Sequence, residues 1–156
     1  MTFDRELLAL YRQLLQTTRL ADAYAEFVRM FRFLRVRLEQ EMPAYTFQGG
    51  IVENAMDYSY FQCASPALKG LGLKLAVVFV HRPFRLEVWL SGRNRACQQQ
   101  WHQQLQAGGT PFELAQDPAR QDYILRAPLP NVDLADADRL VQVLRQTLEA
   151  MAGTIQ

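Results

Sequence analysis

The stretch from Leu73 to Gly92, LKLAVVFVHRPFRLEVWLSG, constrains the fold more than any other part of the chain. Its first part, Leu75 to Val80, is a run of six consecutive apolar residues. An unbroken run of this kind, rich in valine and phenylalanine, is typical of a strand that is covered on both faces. We therefore expect it to be the central strand of a sheet.

The second part of the stretch alternates between apolar and polar side chains, as a strand with one face on the core does. The predicted core face carries Phe84, Leu86, Val88 and Leu90, and the opposite face carries Arg85, Glu87, Trp89 and Ser91. Between the two parts, Pro83 has a fixed φ and no backbone donor, which interrupts strand pairing. The stretch therefore predicts an antiparallel hairpin that turns at His81-Arg82-Pro83.

Upstream of this hairpin the apolar residues follow a helical period. One short amphipathic helix is predicted over residues 3–16, and a second one, with its apolar stripe between Tyr24 and Leu38, is predicted to end before Pro43. The helical period then disappears, and Gly49-Gly50 indicates a turn or bulge. A strand is predicted after it, with Asp57 on its polar side.

Downstream of the hairpin, a glutamine-rich helix is predicted to begin near Asn94 and to end at Gly108-Gly109. We expect it to touch the sheet through Cys97, Trp101 and Leu105, with its glutamines on the outer face. A short strand over residues 123–127 follows. The last helix is predicted to begin near Asp133 or Asp136, with an apolar stripe that includes Leu140, Leu144 and Leu148.

The predicted order of elements is α-α-β-β-β-α-β-α, in which an antiparallel three-stranded meander is followed by a helix, a fourth strand and a C-terminal helix. This order indicates the α+β class. With 156 residues, no repeats and no linker, we expect residues 1–156 to form a single globular domain.

Charge and cysteine content limit the classes of function. The net charge of +1 favours neither nucleic acid nor an anionic membrane as a partner. Cys63 and Cys97 lack the spacing of a zinc or redox motif, and two cysteines make no disulfide framework. The N-terminus has no secretory pattern, and no apolar run approaches the roughly 20 residues that span a bilayer. We expect a cytoplasmic protein without membrane contact.

The charge is unevenly distributed along the chain. Residues 61–100 carry one acid, Glu87, against the six cations Lys69, Lys74, Arg82, Arg85, Arg93 and Arg95. Such segregation indicates either a basic binding face or segments that neutralise one another when the chain folds. The second interpretation is the commoner outcome, and we adopt it as the expectation.

The chain contains no P-loop, GxGxxG, HExxH, GxSxG or EF-hand motif, so no single motif specifies a chemistry. What remains is a polar constellation on the predicted strands and at the start of the following helix. The predicted ligand-binding residues are Asp57, Arg85, Glu87, Trp89, Asn94 and Arg95. Two carboxylates, Asp57 and Glu87, are the catalytic candidates, because paired carboxylates divide acid and base roles or bind a divalent metal. The competing interpretation is a structural ion pair between Glu87 and Arg85 or Arg95.

A resemblance extends over roughly residues 45–105. It rests on Gly50, Met56-Asp57, Tyr60-Phe61, Leu73-Lys74, Val78-Phe79, His81, Phe84, the run from Glu87 to Leu90, Gly92, Asn94-Arg95, Gln98 and Trp101. In these positions the chain resembles a mostly bacterial family of uncharacterised proteins that is known as a domain of unknown function. The resemblance implies family membership without an activity.

Two functions of different classes follow. The first is a non-catalytic module whose polar sheet face binds a small polar ligand or a protein partner. It requires no metal, specifies no cofactor and leaves a homodimer open. The second is a divergent metal-dependent phosphodiesterase or nuclease, because the order α-β-β-β-α-β is similar to the core of the PD-(D/E)xK nucleases. Only this alternative makes nucleic acid a partner. The run from Glu87 to Trp89 lacks the lysine of that motif, so Arg95 or Lys74 would replace it.

Overall fold

The computed structural model describes residues 1–155, which form five helices and six strands. The helices are α1 (Arg5–Thr17), α2 (Leu20–Glu41), α3 (Pro66–Gly70), α4 (Arg95–Gly108) and α5 (Ala137–Gly153). The strands are β1 (Thr46–Asn54), β2 (Tyr58–Ala64), β3 (Leu73–Val80), β4 (Arg85–Gly92), β5 (Glu113–Leu114) and β6 (Leu125–Leu129). They make one sheet in the order β1-β2-β3-β4-β6-β5, and every neighbouring pair is antiparallel. The α+β class is confirmed.

The apolar run that predicted the central strand forms β3, which lies between β2 and β4 as expected. Leu75, Val77 and Phe79 belong to the main core, and none of them is more than 1% exposed. The intervening Ala76 and Val78 are also buried, although they lie on the opposite face of the sheet. Residues on both faces of β3 are therefore buried, as its unbroken apolar sequence predicts.

Helices α2 and α5 cover one face of the sheet. The predicted stripes on these helices are confirmed, because Phe31, Leu34, Leu38, Leu140, Leu144 and Leu148 are all buried. Phe27 on α2 also packs against Phe79, with ring centroids 4.7 Å apart. Each fully buried side chain of this size contributes about 1.5–3 kcal/mol of transfer free energy, so this layer holds most of the core.

The strand that was predicted around Asp57 is instead the hairpin of β1 and β2. Ala55 and Met56 in its turn have φ values of 48° and 59°, and the Asp57 amide donates to the carbonyl of Asn54 at 2.8 Å. Left-handed turn positions usually carry glycine, asparagine or aspartate, so this turn has no sequence signature. The bulge predicted at Gly49-Gly50 is confirmed by a register shift between Gln48 and Val52.

The β3–β4 turn is where predicted, but Phe84 is not buried in the core and only touches Phe79 at its edge. It occupies the last turn position with a φ of 55° and is 67% exposed, so β4 begins one residue later. The rest of the alternation is confirmed, since Leu86, Val88 and Leu90 are 0% exposed. The sheet has six strands instead of the predicted four, because the first predicted strand is a hairpin and the short β5 falls in a predicted loop.

Candidate functional site

The face of the sheet opposite α2 and α5 carries a depression. In register across β2, β3 and β4, Ala76 lies between Gln62 and Trp89, and in the next row Val78 lies between Tyr60 and Glu87. Because alanine is the smallest side chain in its row, the larger neighbours rise around it. We call the resulting cavity of about 360 Å³ the open-face pocket. It is lined by Tyr58, Tyr60, Gln62, Lys74, Ala76, Trp89, residues 91–95, Gln98 and Asp122.

Aromatic side chains form one wall of the open-face pocket. The ring centroids of Tyr58 and Tyr60 are 6.0 Å apart, and those of Tyr58 and Trp89 are 5.5 Å apart. Trp89 continues the row to Tyr123 at 5.1 Å. Each ring is supported by the next one, so the wall is packed in place without a ligand.

The end of the pocket is closed by the loop of residues 115–124, which is tied to β2, β4 and α4. Asp122 accepts hydrogen bonds from the hydroxyl of Tyr58 at 3.0 Å and from Arg95 at 2.8 Å. The hydroxyl of Ser91 donates to the backbone carbonyl of Asp122 at 2.7 Å. Burial and the Asp122 carboxylate raise the pKa of Tyr58, which therefore stays a hydrogen-bond donor well above neutral pH.

Gln98 holds the same loop from within helix α4. Its Nε2 donates to the carbonyls of Gln121 at 2.7 Å and Pro118 at 3.2 Å, and its Oε1 accepts from the amide of Gly92 at 3.2 Å. Helix and strand approach so closely that a β-carbon at Gly92 would lie 2.7 Å from the backbone nitrogen of Gln98. The side chain of Gln98, on α4, therefore joins this helix to β4 and to the loop through hydrogen bonds.

The prediction that α4 packs through Cys97, Trp101 and Leu105 is wrong in part. The buried residues of α4 are Gln98, His102 and Leu105, whereas Trp101 is half-buried. The Nε2 of His102 makes a hydrogen bond of 2.6 Å with the carbonyl of Ala115. Gln98, Trp101, His102 and Leu105 follow the spacing i, i+3, i+4, i+7, so counting polar residues as members of the stripe would have found them.

Glu87 lies beside the open-face pocket and is only 1% exposed. Its Oε2 accepts a hydrogen bond of 2.9 Å from Nε of Arg85, and its Oε1 accepts one of 2.9 Å from Nε1 of Trp89. Arg126 adds an ion pair at 3.8 Å. The competing interpretation expected a structural ion pair between Glu87 and Arg85 or Arg95. The pair with Arg85 is present, and the second arginine near Glu87 is Arg126 instead of Arg95.

Asp57 does not share this face with Glu87. It is exposed in the β1–β2 turn, and its backbone carbonyl accepts from the amide of His81 at 3.0 Å. The expectation that the two carboxylates lie on neighbouring polar strand faces is therefore wrong, because Asp57 precedes β2. Nearby, Nε2 of His81 hydrogen-bonds with the hydroxyl of Ser59 at 2.9 Å, and burial lowers the pKa of His81.

Of the six predicted ligand-binding residues, Trp89, Asn94 and Arg95 line the open-face pocket. Asn94 also caps α4, because its Oδ1 accepts from the amide of Cys97 at 2.8 Å. Arg85 and Glu87 lie under the edge of Trp89 without lining the cavity. The sequence interpretation missed Gln62, which does line it, and considered Lys74, which also lines it, only as a replacement for the lysine of the nuclease motif.

A second cavity of about 370 Å³ adjoins the open-face pocket at the end of β2 and β3. Gln62, Lys74 and Arg93 line both cavities, and Lys69 lines the second one. The uneven charge of residues 61–100 was the available signal for this group, and the expectation that it would be neutralised on folding is wrong here. Within residues 1–155, Lys69, Lys74 and Arg93 form no ion pair with a carboxylate. Cys63 also lines the second cavity, but burial raises its pKa to about 12, so it remains a thiol at neutral pH.

The geometry gives the metal-dependent alternative no support. In the described part of the chain, no three His, Cys, Asp or Glu side chains lie together in a group that could hold a metal ion. The two carboxylates that this alternative needs are separated, as described above, and Glu87 is occupied by Arg85 and Trp89.

None of the helices in residues 1–155 combines the length and apolar character needed to cross a bilayer. No curated protein and no solved structure matches the chain. One family model, described as a domain of unknown function (DUF7000), matches residues 4–156, which extends the resemblance seen over residues 45–105 to both flanks. The chain therefore belongs to this family, whose function is unknown.

Proposed function

We propose that the protein is a cytoplasmic, single-domain binding module whose small polar ligand occupies the open-face pocket. The observation that carries this proposal is the pocket itself, which combines an aromatic wall with polar groups that nothing in the described chain satisfies. Its volume of about 360 Å³ falls within the range of about 300–1,000 Å³ that is usual for small-molecule sites.

The walls of the pocket are organised before any ligand binds. The loop that closes the end of the cavity accepts hydrogen bonds from four lining side chains: Tyr58, Ser91, Arg95 and Gln98. A ligand therefore meets fixed walls and loses little affinity to ordering them. This arrangement favours a specific small molecule over a transient surface contact.

Two polar side chains remain for the ligand at the floor. Within residues 1–155, neither the amide of Gln62 nor the ammonium of Lys74 makes a side-chain hydrogen bond, although both line the cavity. Convergent polar groups in an aromatic pocket fix the orientation of a ligand and supply specificity. Catalysis is not part of the proposal, because the buried carboxylate beside the pocket is already paired.

The test is a binding screen by nuclear magnetic resonance on the ¹⁵N-labelled protein, with a panel of sugars, amino acids, nucleosides, nucleotides and carboxylic acids. We expect one class to shift the amide signals of residues 60–62, 74–76 and 91–95. Ala76→Leu fills the depression from its floor and should abolish those shifts. The matched control is Ala107→Leu, since Ala107 is exposed on α4. Shifts that persist equally in Ala76→Leu, or no shifts with any class, would refute the proposal.

We further propose that the protein forms a homodimer through α1. No residue of this helix is buried, and its apolar side chains Leu7, Leu8 and Tyr11 are 62%, 59% and 57% exposed. An antiparallel pairing with α1 of a second copy would cover this apolar face.

Sedimentation equilibrium tests the dimer. Leu8→Glu places a charge in the apolar face and should give a monomer, whereas Gln13→Glu, on an exposed polar position, should remain dimeric. A wild-type protein that stays monomeric at about 100 μM, where contacts with a Kd in the micromolar range are populated, would exclude this assembly.

A further inference from the structure

We infer that the ligand of the open-face pocket is a small anion that carries a planar ring, of the nucleoside monophosphate class. This inference rests on the proposed function and specifies its ligand. The phosphate would lie between Lys74 and Arg93, where the two cavities meet, and the ring would lie against the wall formed by Tyr60 and Trp89.

The position of the two cations follows from the strand register. Lys74 on β3 pairs with Ser91 on β4, and Arg93 comes directly after β4, where its amide donates to the carbonyl of Gly72 at 2.8 Å. A β-carbon at Gly72 would lie 3.2 Å from Cδ of Arg93, so the arginine side chain runs across the turn that leads into β3. Both cations are therefore placed by adjacent strands at the same end of the sheet.

These cations are not neutralised by the protein. Lys69, Lys74 and Arg93 have no carboxylate partner within residues 1–155, as noted above. Among the lining residues of both cavities the only acid is Asp122, and it is occupied by Arg95 and Tyr58. Because the whole chain carries a net charge of only +1, three uncompensated cations around one junction are a local feature and attract an anion.

A tetrahedral anion suits this junction. Arginine presents a planar fork of donors to phosphate oxygens, and lysine adds a mobile ammonium. The N-terminal end of α4, a helix of 14 residues, lies beside the same pocket at Asn94 and adds a positive dipole end. The cationic side chains, and not the helix end, carry the argument.

The ring is indicated by the aromatic wall next to these cations. Since Nε1 of Trp89 already donates to Glu87, the indole has no free donor, and it lines the pocket with the apolar surface of its ring. Nucleobases stack on such faces, while the free amide of Gln62 provides a donor and an acceptor for ring atoms. An anion without a ring would leave this wall unused.

A single-stranded nucleic acid also combines phosphates with rings, but the shape of the pocket favours a small molecule. The loop of residues 115–124 closes one end through the contacts of Asp122 with Tyr58 and Arg95. A polynucleotide needs an open track along which its backbone continues. Here the loop blocks the track at this end of the pocket, which favours a small molecule over a continuous chain.

Isothermal titration calorimetry with four probes tests the inference: adenosine 5′-monophosphate, adenosine, inorganic phosphate and a ten-nucleotide oligoadenylate. We expect the monophosphate to bind more tightly than the other three. Lys74→Met and Arg93→Gln should each weaken monophosphate binding by about tenfold or more, because each removes a charged hydrogen-bond donor. Arg82→Gln is the control, since Arg82 is exposed in the β3–β4 turn and lines neither cavity.

The outcomes separate this inference from the proposed function. If adenosine binds as tightly as the monophosphate and Lys74→Met does not weaken binding, the ligand is not an anion. If Ala76→Leu still abolishes binding in that case, the pocket remains a ligand site and the proposed function stands. If inorganic phosphate binds as tightly as the monophosphate, the ligand needs no ring. If oligoadenylate binds more tightly per site than the monophosphate, the ligand is a polynucleotide and not a small molecule. If none of the probes binds and the wider panel leaves the pocket signals unchanged, the inference and the proposed function both fail.

Discussion

The indole Nε1 of Trp89 donates a hydrogen bond of 2.9 Å to Oε1 of Glu87, two residues earlier on the same face of β4. Arg85, which precedes Glu87 by two residues on the same strand, donates to the other carboxylate oxygen. A nearly fully buried carboxylate is thus satisfied by its own strand, and the same bond holds the indole of Trp89, which lines the open-face pocket. The network is structural, and it positions one residue of the proposed ligand site.

Glu87→Gln should lower the free energy of unfolding by about 1–3 kcal/mol, because it removes the charge that compensates Arg85 and Arg126 in a buried setting. Asp57→Asn is the matched control. We expect it to leave stability unchanged or slightly higher, since Asp57 is exposed in a turn and has no ion pair within residues 1–155. Thermal melts at neutral pH measure both, and a larger loss in Asp57→Asn would contradict this assignment.

Phe79→Ala should cost about 3–5 kcal/mol, because the side chain is 0% exposed and its removal leaves a cavity that α2 cannot fill. Urea denaturation measures the loss. A value under about 1 kcal/mol, which is typical of surface changes, would mean that β3 is not the centre of the core.

Gln98→Ala should destabilise the protein by about 1–3 kcal/mol, because the amide of Gly92 loses its side-chain acceptor and the carbonyls of Gln121 and Pro118 keep only Arg95 as a donor. The neighbouring Gln99→Ala and the charged variants Gln99→Glu and Gln103→Glu should stay within about 0.5 kcal/mol, since both positions are exposed. Equal effects at positions 98 and 99 would show that the loop is held by other contacts.

Gly92→Ala should also destabilise the protein, by about 1–3 kcal/mol, because its β-carbon would collide with the first turn of α4. Gly108→Ala provides the control, since a β-carbon there meets nothing within 4 Å and alanine favours the helix by about 0.5–1 kcal/mol. Opposite signs of the two changes in melting temperature are expected. A stable Gly92→Ala protein would require β4 and α4 to move apart.

Stability should fall as the pH is lowered from 7 towards 5, with a contribution from His81. Burial lowers the pKa of this histidine below its ordinary value of 6.5, so the folded state prefers the neutral ring. Its contribution is complete above pH 6.5 and is lost as the pH falls through the folded-state pKa, because the unfolded chain binds the proton first. Melts of the wild type and His81→Gln at several pH values measure the difference. A wild-type slope equal to that of His81→Gln would contradict this role.

The sequence by itself determined the elements whose signals are local. The apolar run of β3, the alternation from Leu86 to Leu90, the stripes of α2 and α5 and the cap at Asn94 depend on neighbours within about one helical turn or one strand. The unequal charge of residues 61–100 was also visible. These features were enough for the α+β class and for the central position of β3.

Tertiary structure alone decided which polar residues meet. Gln98 is buried because it reaches Gln121, which lies 23 residues away, and Asp57 is separated from Glu87 because two consecutive left-handed residues end β1 before it. The cavity over Ala76 exists because β2 and β4 bring Gln62 and Trp89 to its two sides. Strand register and backbone turns set such distances, and they result from the packing of the whole chain, which a local pattern of residues does not encode.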